Sequence, residues 1–135
     1  MKYWLIKSEP GTFSWEKFEK DGKAAWDGVR NYAARLNLRE MKKGDKCLFY
    51  HSNDGKCIVG IAEVTREQYP DPTAKEGEWV AVDVKPVQKL KRAVTLAEMK
   101  ADKRLADFEL IRISRLSVAK VTKAEYDIIL SLSEK

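Results

Sequence analysis

Lys46-Cys47-Leu48-Phe49-Tyr50-His51-Ser52-Asn53-Asp54-Gly55-Lys56-Cys57-Ile58-Val59-Gly60-Ile61-Ala62-Glu63-Val64-Thr65 reads as a strand, a turn and a return strand. Asn53-Asp54-Gly55 is the strongest turn signal in the chain, and Asp54-Gly55 favours a hairpin. In the return strand Ile58, Gly60, Ala62 and Val64 share one face, and Cys57, Val59 and Ile61 share the other. Both faces are apolar at its start, which places this strand inside a sheet or beneath a helix. Gly60 leaves its backbone open to close approach by another group.

Before this hairpin, Tyr3 to Lys7 reads as a strand ended by Ser8-Glu9-Pro10-Gly11. Ser14 is a good helix N-cap, with Phe13 and Phe18 at the positions of a hydrophobic staple, for a helix over Trp15 to Glu19 that stops at Asp21-Gly22. A second helix is expected from about Arg30 to Glu40, with Tyr32, Leu36 and Leu38 facing inward. After the hairpin, Tyr69-Pro70-Asp71-Pro72-Thr73 reads as a rigid loop and Trp79 to Lys85 as a strand whose regular pairing ends at Pro86. Lys89-Leu90-Lys91-Arg92 reads as a solvent-facing basic connection. Thr95-Leu96-Ala97-Glu98 and Thr122-Lys123-Ala124-Glu125 are capping boxes that open helices. The first fades near Asp102; the second presents Tyr126, Ile129 and Leu130 inward. Between them, Phe108 to Ile113 alternates as a late strand.

Short strands interspersed with short helices, without βαβ alternation, repeats or a dividing linker, predict an α+β fold: one domain over residues 1–135, built on a small, mixed, strongly bent sheet or barrel. A hydrophobic share of 44% beside 35% charged residues suits a folded globular chain. The net charge of +5 favours a polyanion as partner without establishing one. Cys47 and Cys57 sit in neighbouring strands and read as two small buried thiols rather than a secreted disulfide framework. One histidine and no close Cys/His set argue against structural zinc. No apolar run reaches membrane-spanning length, and Lys2 to Lys7 does not resemble a signal peptide, so a cytoplasmic monomer is expected.

The chemistry concentrates in Trp26-Asp27-Gly28-Val29-Arg30-Asn31-Tyr32-Ala33-Ala34-Arg35, which sets an indole, a carboxylate, an amide, a phenol and two guanidiniums within ten residues. These residues fit two readings. One is an ordinary aromatic core with a solvated basic face. The other is a site for a flipped base, which needs an aromatic wall, donors and acceptors for the base edge, and cations outside for phosphate. Trp26, Tyr50, Asn31, Ser8, His51 and Ser52 supply the first two; Lys7, Arg30, Arg35 and Arg115 supply the third. Enzyme chemistry finds less support. His51 is followed directly by Ser52, and adjacent strand residues point apart. The phosphate-loop, dinucleotide and zinc-deaminase signatures are all missing from the sequence.

Lys2 to Pro10, Trp26 to Arg35, Phe49 to Asn53, Ile58 to Val64, Tyr69 to Ala74 and Arg115 to Val118 resemble, in order and over nearly the whole chain, the signatures of the EVE domain family. The resemblance implies a PUA-like small mixed β-barrel with peripheral short helices, related to readers of methylated adenine. It implies a non-catalytic, cofactor-free module that binds nucleic acid through a modified base, with modified cytosine in DNA favoured. RNA or tRNA binding, or an enzyme acting on a nucleobase at the same pocket, are the alternatives. Ser8, Trp26, Asn31, Tyr50, His51 and Ser52 carry over as the base pocket, and Lys7, Arg30, Arg35 and Arg115 as phosphate or rim contacts. Lys75-Glu76-Gly77-Glu78 is shorter than the loop that family members commonly carry there, and Ile113-Ser114 lacks a glycine often found before the Arg115 position.

Overall fold

The computed structural model describes residues 1–52 and 55–135. Asn53 and Asp54 of the expected hairpin turn lie outside them. The elements are β1 (Tyr3–Ser8), α1 (Trp15–Asp21), β2 (Ala24–Trp26), α2 (Tyr32–Glu40), β3 (Lys46–His51), β4 (Cys57–Pro70), β5 (Val80–Thr95), α3 (Leu96–Ala101), α4 (Glu109–Arg112), β6 (Val118–Val121) and α5 (Lys123–Ser133).

The six strands form one mixed sheet in the order β2-β5-β4-β3-β1-β6. β1 runs parallel to β3, and every other pair is antiparallel. This corrects the expected barrel. Among the described residues β2, three residues long, pairs only with β5, and β6, four residues long, pairs only with β1, so the sheet stays open at both ends.

The bend comes from bulges. Between β3 and β4 the register slips at Phe49/Tyr50, and between β4 and β5 it slips four times. One of those slips lies at Ala62, opposite Pro86, where a ladder can lose an N–H. β5 therefore continues through Pro86 to Thr95 instead of ending there. Lys89 to Arg92 belong to this strand, and Leu90 is buried.

Gly60 meets its expected neighbour. Trp15, brought in by α1, lies so close that a Cβ on Gly60 would stand 2.5 Å from the indole ring. The same ring packs edge-on against Phe18 and Phe49, at 5.5 and 5.3 Å. Phe18 in turn stacks on Phe49 at 5.2 Å. Ser14 caps α1 through Lys17 N, and both predicted capping boxes are formed.

Two readings change. α2 buries Ala34, Asn37 and Leu38, while Tyr32 and Leu36 face water. The spacing i, i+3, i+4 fits the buried set, and Asn37 fixes it by donating to the Val118 carbonyl at 2.7 Å. The segment from Phe108 is not a strand: Phe108 precedes the single helical turn of α4, and the late strand is β6. Of the residues expected inward on α5, Tyr126 and Ile129 are buried and Leu130 is only partly so.

Candidate nucleic-acid interface

A cavity of about 900 Å³ opens at the end of β1. Its walls are Lys7 and Ser8, the following loop with Glu9, Thr12 and Phe13, the strand β2, and the segment from Asp27 to Asn31; Ser117, whose carbonyl accepts from Lys7 N at 3.0 Å, lies beside Lys7. Trp26, the last residue of β2, forms one wall. Its half-buried indole is held by edge-on contacts with Phe13 at 6.2 Å and Phe49 at 5.8 Å. A fixed ring of this kind offers a stacking surface without further ordering.

The Asp27–Asn31 wall is fixed from behind by Asp71. Its buried carboxylate accepts from Gly28 N at 2.8 Å, Arg30 Nη1 at 3.0 Å, Thr73 N at 2.7 Å and Thr73 Oγ1 at 2.6 Å. Burial alone would raise the pKa of this acid. The bonds from Thr73, Gly28 and Arg30 outweigh it and hold the pKa down at about 2. Gly28 turns the chain at φ +75°, a conformation suited to glycine. Asn31 starts α2 by accepting from Ala34 N at 3.0 Å through Oδ1, which leaves its amide N–H groups free to donate. The Ser8 hydroxyl donates to the Phe13 carbonyl at 2.5 Å and so closes the loop that carries Glu9.

Of the base-pocket residues read from sequence, the structure brings Ser8, Trp26 and Asn31 together in this cavity. Tyr50 and Ser52 line a smaller one of about 200 Å³, with Lys56, Leu96, Leu110 and Ser114. Lys7 borders both cavities. Its Nζ donates to the Ser114 carbonyl at 2.7 Å and lies 5.9 Å from the Tyr50 ring centre, and burial lowers its pKa. His51 lines neither cavity; its Nε2 accepts from Trp15 N at 3.1 Å at the start of α1. Burial lowers the His51 pKa, against a smaller opposing pull from Glu16, and favours the neutral ring that this bond requires.

The rim cations also separate. Arg30 is engaged by Asp71 and Thr73. Arg35 lies over the rings of Tyr32 and Trp79, at 4.9 and 4.8 Å. Arg115 is exposed. Sequence reading of the pocket missed Glu9, Thr12 and Phe13, and noticed Asp27 as a carboxylate of the Trp26–Arg35 stretch without placing it in the pocket. The available signal was Glu9 standing before a Pro-Gly turn at a strand end. Two carboxylates beside an aromatic wall can accept from a base's exocyclic amine, and Lys7 brings positive charge to the same mouth. Among the described residues no group of three or more His, Cys, Asp or Glu side chains is placed to hold a metal ion.

An open mixed sheet that ends in a polar, aromatic-walled cavity defines a ligand-binding domain built on strand ends and loops. The chain belongs to the EVE domain family, whose pattern matches residues 2–132. It is 39% identical to mouse thymocyte nuclear protein 1 over an alignment of 166 positions, covering 98% of this chain and 74% of that protein. That alignment is longer than this chain, so the mouse protein carries inserted segments relative to it. A Rhodopseudomonas palustris protein solved by NMR is 48% identical and superposes with a TM-score of 0.94, covering 99% of this chain and 94% of its own. The crystal structure of human thymocyte nuclear protein 1 in complex with DNA containing 5-methylcytosine is 37% identical, with a TM-score of 0.93, covering 100% of this chain and 99% of that one.

Proposed function

We propose that this chain binds DNA carrying 5-methylcytosine and takes the modified base, turned out of its stack, into the cavity walled by Trp26. The observation that carries the reading is the cavity itself: a braced indole faces a space edged by Glu9 and Asp27, with Lys7 and the free amide of Asn31 at its margin. Carboxylates suit the N4 amino group of cytosine, and the indole suits the base's flat face. The human relative bound to methylated DNA supports the choice of ligand. The module binds without chemistry on the base.

The test is a fluorescence-anisotropy titration with matched duplexes containing cytosine or 5-methylcytosine, at two salt concentrations. Tighter binding of the methylated duplex is expected, with a methylated-to-unmethylated ratio that hardly changes with salt, because phosphate contacts are common to both ligands. Stacking is worth about 1–3 kcal/mol per base, so Trp26→Ala should weaken binding roughly ten- to a hundredfold. An unchanged dissociation constant in a folded Trp26→Ala protein would refute the assignment.

A further inference from the structure

Beside the cavity, α2 carries an aromatic shelf that the base site does not use. Tyr32 is 69% exposed, and Leu36, one helical turn on, is 56% exposed. The Tyr32 ring rests on Trp79 at 5.3 Å and 32°. The Arg35 guanidinium lies over both rings, and its one hydrogen bond among the described residues is a long one, 3.4 Å to the Glu78 carbonyl. Its Nε is buried and has no hydrogen-bond partner among the described residues. Arg30, a wall residue of the cavity, lies 5.6 Å from the Trp79 ring centre. The line from cavity to Arg30, Trp79, Arg35 and Tyr32 is therefore unbroken.

Part of this stack is a clamp that holds the Asp71–Trp79 loop against α2. Trp79 serves it, and so does Arg39, which donates to the Glu78 carbonyl at 3.0 Å. The clamp does not explain Tyr32, whose ring is mostly in water at the first position of a helix where an aromatic residue has no particular advantage. An exposed aromatic face backed by guanidiniums is what sequence-tolerant base stacking uses.

We propose that Tyr32 is the stacking seat for the nucleotide that flanks the modified base, with Arg35 placing positive charge beside the intervening phosphate. The proposal rests on the reading of the cavity as the base site. It makes the ligand at least a dinucleotide, with the flanking base parted from its own stack.

The experiment measures affinity for 5-methylcytosine oligonucleotides in which the 5′ or the 3′ neighbour is either a normal nucleotide or an abasic one. Wild type should bind about tenfold more weakly when the neighbour on one side is abasic. Tyr32→Ala should bind the normal oligonucleotide at that weaker level and lose nothing more with the abasic one. Tyr32→Phe should match wild type, and the ratio of methylated to unmethylated binding should be the same in all three proteins. Full affinity in Tyr32→Ala, or an abasic penalty that persists in it, overturns the proposal while methylcytosine discrimination survives. Loss of discrimination in wild type itself instead overturns the base-site reading, and this proposal with it.

Discussion

Asp71→Asn removes one charge and almost no volume from behind the cavity wall. The wild-type carboxylate takes two donors on each oxygen: Gly28 N and Arg30 on Oδ2, and Thr73 N and Oγ1 on Oδ1. An amide keeps only one acceptor oxygen, so its NH₂ faces either Gly28 N and Arg30, or Thr73 N and a hydroxyl that must turn to accept. Removing one partner of a fully buried ion pair costs about 3–5 kcal/mol. Here Arg30 remains 40% exposed and water can solvate it, so the expected loss is about 2–3 kcal/mol. The acid's own titration gives an independent figure: the gap between about 2 and the ordinary 3.8 corresponds to about 2 kcal/mol. Because the folded pKa is depressed, this stability is present above the unfolded chain's pKa near 4 and is lost as pH falls through the folded value. Thermal unfolding followed by circular dichroism should show Asp71→Asn melting roughly 6–10 °C below wild type at pH 7. The difference should shrink between pH 4 and pH 2 as wild-type Asp71 takes up its proton. Equal melting temperatures at pH 7, or a difference that stays the same size at pH 2, would refute the reasoning.

Gly60→Ala drives a methyl group to 2.5 Å from the Trp15 ring, which Phe18 and Phe49 hold in place, so a loss of about 1–3 kcal/mol is expected in chemical denaturation; a midpoint equal to wild type would show that the ring can retreat. His51 gives a second pH signature. Its folded pKa is lowered, so below about pH 6.5 the unfolded chain takes up a proton that the folded chain resists, and stability falls as pH drops from there. His51→Gln keeps an acceptor for Trp15 N and should remove that part of the pH dependence; an unchanged profile would place its origin elsewhere. Asn31→Ala should cost about 0.5–2 kcal/mol through the lost cap, whereas Asn31→Asp should retain stability, and comparable losses in both would mean that the cap is not what Asn31 contributes.

Local chemistry made much of this fold legible. The Ser14 cap and the boxes at Thr95 and Thr122 each act within four residues and read the same in sequence and structure. Long-range choices were less visible. On α2, Tyr32 and Leu36 are spaced as suitably as Ala34 and Leu38, and the buried bond from Asn37 to β6 favours the observed face. β6 is only four residues long and leaves little periodic signal, so that partner is hard to read from sequence. Pro86 looked like a strand end because a bulge, unlike a turn, leaves little trace in composition. At the site, one cavity gathers Trp26, Asn31 and Ser8, whereas Tyr50, His51 and Ser52, which the family resemblance groups with them, lie outside it. Neighbours on a strand point to alternate faces, so His51 went to α1 while Tyr50 faced the smaller cavity.

The pairing of β1 with β3 in parallel on one side, and with β6 in antiparallel on the other, has a kinetic consequence. Tyr3 pairs with both Lys46 and Val121, so the strand that is synthesised first occupies an interior lane of the sheet and needs the last strand to cover its second edge. Such a chain has a high contact order and folds late: on the ribosome, β1 to β5 can gather, but the edge of β1 stays bare until residues 118–121 emerge. Nascent protein is then exposed to edge-to-edge association during that interval, and a premature stop anywhere before Val118 would make the exposure permanent.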